Sequence, residues 1–161
     1  MLRNCLVVCA TKSDKACQAA AQVANTLRAR GVAVDLECGR DVSDLDEYDA
    51  VIIGAPLRHG RWQRAARRFV KRHREILEAK DVAVFVSGPC AGGAEAYDRS
   101  WNRIIKTLTR LGWLDPVRIE VFPELEHNDL PCCDPGDQSR VAQWSQNLSV
   151  AMHLADSDTY R

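Results

Sequence analysis

Thr11-Lys-Ser-Asp-Lys15 sets hydroxyls, amines and one carboxylate between an apolar run, Cys5–Ala10, and a helical pattern that starts at Ala16. Hydroxyls, backbone N–H groups and a helix N-terminus in one place make an anion site, because unpaired N–H groups and the helix dipole both favour negative charge. The same residues also serve a helix that binds nothing, with Ser13 or Asp14 as its N-cap. A second segment, Gly54-Ala-Pro-Leu-Arg-His-Gly60, follows another apolar run. Pro56, Leu57, Arg58, His59 and Gly60, with Trp62 just beyond, combine an apolar wall with a few donors, the mixture that borders a planar aromatic ligand. An ordinary loop with Arg58 and His59 in solvent explains them equally. The third segment is Ser87-Gly-Pro-Cys-Ala-Gly-Gly93, whose glycines either let backbone approach a ligand or make a mobile loop.

Seven cysteines complete the reactive inventory: Cys5, Cys9, Cys17, Cys38, Cys90, Cys132 and Cys133. The number is odd and no CxxC pair exists, so neither a zinc ribbon nor a thioredoxin-type motif is present. Reduced thiols that pack as small apolar side chains are expected. Cys132-Cys133 with His127 would suit a soft metal, but the spacing departs from the usual ligand patterns, and a loop with two thiols is the plainer reading.

The elements that must position these loops alternate. Apolar, β-branched runs at Cys5–Ala10, Val32–Leu36, Ala50–Gly54, Val82–Val86 and Val117–Val121 suit strands covered on both faces. Helical period fills the gaps: Ala16–Arg30, stopped by Gly31; Trp62–Ala79; Trp101, Ile104, Ile105, Leu108 and Leu111, ended by Gly112; and Val141, Trp144, Leu148 and Met152. Asp41–Asp49 is polar and predicts at most one helical turn capped by Ser43. Residues 123–137, with three prolines, read as a long loop. Strand and helix in alternation predict a doubly wound α/β sandwich around a five-stranded parallel sheet of order 2-1-3-4-5. Ligands of such sheets bind outside the carboxyl ends of the strands, where all three loops fall.

Lys plus Arg total 22 and Asp plus Glu total 22, so no net charge drives nucleic-acid binding. The apolar runs are far below the ~18 residues of a membrane span, and Cys5–Ala10 is too brief for a secretory signal. A chain of 161 residues predicts one cytoplasmic domain.

Tyr48-Asp-Ala-Val-Ile-Ile-Gly-Ala-Pro-Leu-Arg-His-Gly60, the strand and loop around Thr11, and Phe69-Val-Lys-Arg-His73 resemble flavodoxin-type FMN-binding domains. The flavodoxin domain of bacterial menaquinone-dependent protoporphyrinogen oxidases is the most similar kind. The resemblance implies a flavodoxin-like fold and an FMN-dependent oxidoreductase or electron carrier. It implies FMN phosphate at Thr11, Lys12, Ser13, Asp14, Lys15 and Ala16. The flavin ring would be framed by Pro56, Leu57, Arg58, His59 and Gly60 on one side and Ser87, Gly88, Pro89 and Cys90 on the other. The family's phosphate loop resembles Thr-x-x-Gly-x-Thr; here Asp14 stands at the glycine and Ala16 at the last hydroxyl. A second departure is that residues 122–137 are short and acidic where those oxidases carry a basic, aromatic insertion.

Arg58, Arg61, Arg64, Arg67, Arg68, Lys71, Arg72 and Arg74 fall in one stretch without an acidic residue, whereas Glu120, Glu124, Glu126, Asp129, Asp134 and Asp137 crowd another. A solvated helix face is one reading. The other is a docking face over residues 61–74 for an acidic redox partner, a carboxylate-bearing substrate or anionic lipid. The same asymmetry favours a homo-oligomer assembled head to tail. Asp14 and Ala16 also support an alternative in which the module has lost FMN and binds a protein or an anionic ligand. A thiol redox centre at Cys90 or Cys132-Cys133 is a third reading.

Overall fold

The computed structural model describes residues 4–10, 14–58, 61–88, 93–114, 116, 118–123 and 135–152. The strands are β1 (Asn4–Cys9), β2 (Ala33–Cys38), β3 (Ala50–Arg58), β4 (Arg61–Trp62), β5 (Asp81–Gly88) and β6 (Arg118–Pro123). The helices are α1 (Asp14–Ala29), α2 (Arg64–Arg72), α3 (Arg74–Leu77), α4 (Gly93–Leu111) and α5 (Pro135–Ala151). Five strands form one parallel sheet in the order β2-β1-β3-β5-β6, which is the expected 2-1-3-4-5 once the short β4, antiparallel to β3, is set aside. β1, β3 and β5 are buried on both faces, which is why they read as unbroken apolar runs. One face packs Cys5, Val7, Ile52 and Phe85 against Val23 and Leu27 of α1 and Trp144 and Leu148 of α5. The other packs Leu6, Val8, Ile53 and Val84 against Phe69 and Val70 of α2 and Ile104 and Leu108 of α4. At the margin, β2 buries Val34 but exposes Asp35, Leu36 and Glu37.

Two helix stops are where the glycines predict them. Gly31 (φ +82°) and Gly112 (φ +71°) hold the left-handed conformation, and their N–H groups return to Arg28 O and Leu108 O, each at 3.0 Å. Elsewhere the sheet overrides local pattern. Trp62 belongs to β4 and not to the following helix, because β3 runs on to Arg58 and the chain folds straight back onto it. The helix expected over Trp62–Ala79 is also interrupted, with α2 ending at His73 (φ −107°, ψ 20°) before α3 begins. Asp41–Asp49 holds no helix capped by Ser43. A 3-10 turn covers Gly39–Asp41, and Asp44 Oδ1 accepts the Asp46 N–H at 2.9 Å. Val42, Leu45 and Tyr48 then lie down on the core, an arrangement that leaves Ser43 exposed. Ile105 is exposed rather than part of the α4 stripe. α5 starts at Pro135, inside the expected loop, with proline at the first helical position where its missing N–H costs nothing.

His73 sits at the α2–α3 break, buried, with its ring centroid 4.7 Å from that of Phe69 and no partner for Nε2 among the described residues. Burial and then the charge of Arg72 push its pKa below 6.5, while Asp44 pulls it up. The unfolded chain therefore binds a proton that the folded chain refuses. His73's contribution to stability is complete above pH 6.5 and is lost as pH falls through the lowered folded value. Urea unfolding between pH 7.5 and 5 is expected to show stability declining on acidification, with a shallower decline in His73→Gln; equal slopes would contradict this.

Candidate functional site

Hydrogen bonding gives the carboxyl rim of the sheet a step. β2 and β1 end together at the Cys38–Cys9 pair, which continues to Gly54 of β3, and Ala10 N–H closes the ladder on Gly54 O at 2.9 Å. β3 and β5 go on through Ala55–Val86 and Pro56–Ser87, and β5 and β6 through Ser87–Phe122 and Gly88–Pro123. Two extra rows between β3 and β5 raise that side of the rim by about 7 Å, at ~3.3 Å per residue. The step falls between β1 and β3. There the chain leaves β1 for α1 on one face and leaves β3 for α2 on the other, so the two exits diverge and open a crevice.

The sequence-derived site residues distribute along this rim. Asp14, Lys15 and Ala16 form the start of α1, a 16-residue helix whose N-terminus comes four positions after Ala10. Pro56, Leu57 and Arg58 end β3, where Leu57 pairs with Trp62 and Arg58 with Arg61. Ser87 and Gly88 end β5. The backbone thus brings the first turn of α1 and the tips of β3 and β5 to one end of the sheet. Thr11, Lys12, Ser13, His59, Gly60, Pro89 and Cys90 lie outside the described residues, as do His127, Cys132 and Cys133. Trp62 does not border the rim. It is 1% exposed and belongs to the core under α2 and α4, since pairing with Leu57 directs it there.

Sequence reasoning missed the end of β2. Cys38, Gly39 and Arg40 join Ala10 and, from α2, Arg68, Phe69 and Arg72 around a cavity of about 310 Å³. Its guanidinium groups are exposed at the mouth and Phe69 is buried at its base. None of Arg40, Arg68 and Arg72 forms an ion pair among the described residues. The readable signal was the Gly-Arg pair directly after strand two, on the same sheet edge as the other loops. This arrangement attracts an anion to the rim.

The thiols differ in kind. Cys5 is fully buried and burial pushes its pKa up to about 12, which makes it inert at neutral pH. Cys38 is half-buried and free. Cys9 is disulfide-bonded, so the expectation of seven reduced thiols fails at the last residue of β1. Among the described residues no helix is long and apolar enough to cross a membrane.

Solved structures with this topology are numerous. Oxidised Flavodoxin 1 from Bacillus cereus superposes with a TM-score of 0.66 at 18% identity, covering 91% of this chain and 97% of that one. Flavodoxin 2 from the same organism gives 0.64 at 22%, with 93% and 97% covered. Rubredoxin oxygen:oxidoreductase from Desulfovibrio gigas gives 0.63 at 16%; 93% of this chain matches 36% of that larger one. At these identities the likeness shows the fold. A comparison with curated protein sequences returns no significant match. The flavodoxin-domain family model, however, matches residues 6–128. That span runs from Leu6, inside β1, past the end of β6 and includes the whole stepped rim, and the chain belongs to the flavodoxin-domain family.

Proposed function

We propose that this protein carries electrons on noncovalently bound FMN. The observation that supports it most is the stepped rim, where the ends of the neighbouring strands β1, β3 and β5 border one crevice. FMN supplies the redox chemistry, and the chain supplies the seat. Residues 11–16 meet the phosphate at the α1 N-terminus, while 56–60 and 87–90 frame the ring. An acidic redox partner docks on the cations of residues 61–74, and its association weakens as salt rises. Titration with FMN tests the reading. Saturable quenching of flavin fluorescence, or a yellow protein on purification, supports it. Untouched fluorescence at high micromolar protein would sink it and turn attention to a module that binds a protein or an anion without flavin.

Asp14 is the residue most at odds with that seat. As the first residue of α1 it adds a negative charge to the stretch proposed to meet a phosphate of about −1.5 to −2 charge. Asp14→Asn removes the charge and keeps a side chain of nearly the same size. FMN affinity is expected to rise about tenfold, or ~1.4 kcal/mol, with a smaller gain at high salt. An unchanged affinity would mean that no phosphate sits beside Asp14.

A second reading is oxidation of a porphyrinogen, as in menaquinone-dependent protoporphyrinogen oxidases. It is favoured by the resemblance over residues 48–60 and 69–73 and by the exposed α2 cations, which suit porphyrin carboxylates. Anaerobic turnover of protoporphyrinogen with menaquinone by the FMN-loaded protein would support it.

A further inference from the structure

On its other flank α2 faces α4, and the two helices enclose a cleft of about 380 Å³ separate from the rim. Trp62 forms its inner wall together with Leu111; Arg67, Lys71 and Arg110 stand at its mouth. All three cations are exposed, and none forms an ion pair among the described residues. Arg67 and Lys71 are one helical turn apart, so their charges repel, and Arg110 adds a third from the facing helix. α2 has no acidic residue in its first turn, so these cations are not offset within their own helix. Trp62 gives the cleft an aromatic wall. Its indole N–H is buried and has no partner among the described residues, so the ring meets the cleft through its apolar part. Thr107, also in the wall, already donates its hydroxyl to Arg103 O at 3.0 Å.

We infer that the α2–α4 cleft binds a small organic phosphate monoester, its apolar body against Trp62 and Leu111 and its dianion among Arg67, Lys71 and Arg110. The volume is that of a small-molecule site, ~300–1,000 Å³, and exceeds what an inorganic ion fills. An apolar wall with a few convergent donors suits a ligand that has both parts. The inference does not depend on the flavin reading, because none of these residues belongs to the proposed FMN seat.

The probe is 1-naphthyl phosphate, titrated calorimetrically into the full chain with and without saturating FMN. One molecule is expected to bind in either condition, with inorganic phosphate and neutral 1-naphthol each at least about tenfold weaker. Arg67→Gln, Lys71→Gln and Arg110→Gln, all at exposed positions, each weaken binding by about tenfold. Arg68→Gln and Arg72→Gln remove equal charge from the same helix but line the rim cavity, and they leave the affinity unchanged. No binding, displacement by FMN, or an equal loss in the Arg68 and Arg72 variants would overturn the assignment.

Discussion

Replacing Gly54 with alanine is expected to lower unfolding free energy by about 3 kcal/mol, the upper part of the usual range for overpacking. Gly54 shares a sheet row with Cys9 and Phe85. A Cβ built there lies 2.6 Å from Cε1 of Phe85 and nearer still to Cζ and Cε2. The ring lies across the glycine and fills the space a side chain would take, which is why a strand this deep tolerates glycine. It has little freedom to retreat. Phe85 is 1% exposed, and it meets Trp144 of α5 edge to face, with centroids 5.8 Å apart and planes at 76°. Making room therefore displaces α5 as well as the ring. For a chain of this size the loss corresponds to a melting temperature lower by roughly 6–12 °C. Phe85→Leu shortens the obstructing side chain, so the double variant should recover part of the loss, a favourable coupling that a double-mutant cycle measures. A cost below about 0.5 kcal/mol for Gly54→Ala alone would show that the ring does not lie there.

Phe69→Ala should cost about 3–5 kcal/mol, the range for deleting a buried aromatic ring. Phe69 is 4% exposed and is the largest side chain that α2 sends into the core. Its removal also opens the rim cavity of about 310 Å³ inward, leaving the arginine-bearing helix held mainly by Ala66 and Val70. The same substitution strips His73 of its ring neighbour, so the histidine, less desolvated, should titrate closer to 6.5. Urea unfolding gives the first quantity and histidine NMR the second. A large loss of stability with no movement of the His73 titration would mean that burial there comes from elsewhere.

What could be read from residues alone was decided by how local each cause is. Val7, Ile52 and Val84 lie in strands covered on both faces, so composition sufficed to find the strands, and alternation with helices then implied their order. Gly31 and Gly112 were legible because one backbone angle needs glycine. Trp62 was not. Its spacing to Ala66, Phe69 and Val70 continues a helical stripe, but pairing with Leu57 across the sheet outweighs three or four residues of pattern. Ser43 failed for a similar reason: contacts of Val42, Leu45 and Tyr48 with the distant core, and the turn closed by Tyr48 N–H on Leu45 O at 3.1 Å, set the path of this segment in place of a cap at Ser43. The three rim loops were found by residue type plus a rule about parallel sheets. The rim cavity and the α2–α4 cleft were not, since each is made by segments distant in sequence, Cys38 with Arg68 in one and Trp62 with Arg110 in the other.

The exposed margin at β2 bears on how copies of this chain can meet. A sheet edge is a template for another strand, and two copies could in principle zip together there. Antiparallel pairing centred on Leu36 would set Asp35 of each copy against Glu37 of the other, like charges directly opposed across the junction. The edge thus carries its own repulsion against fibre growth, one that added salt would screen.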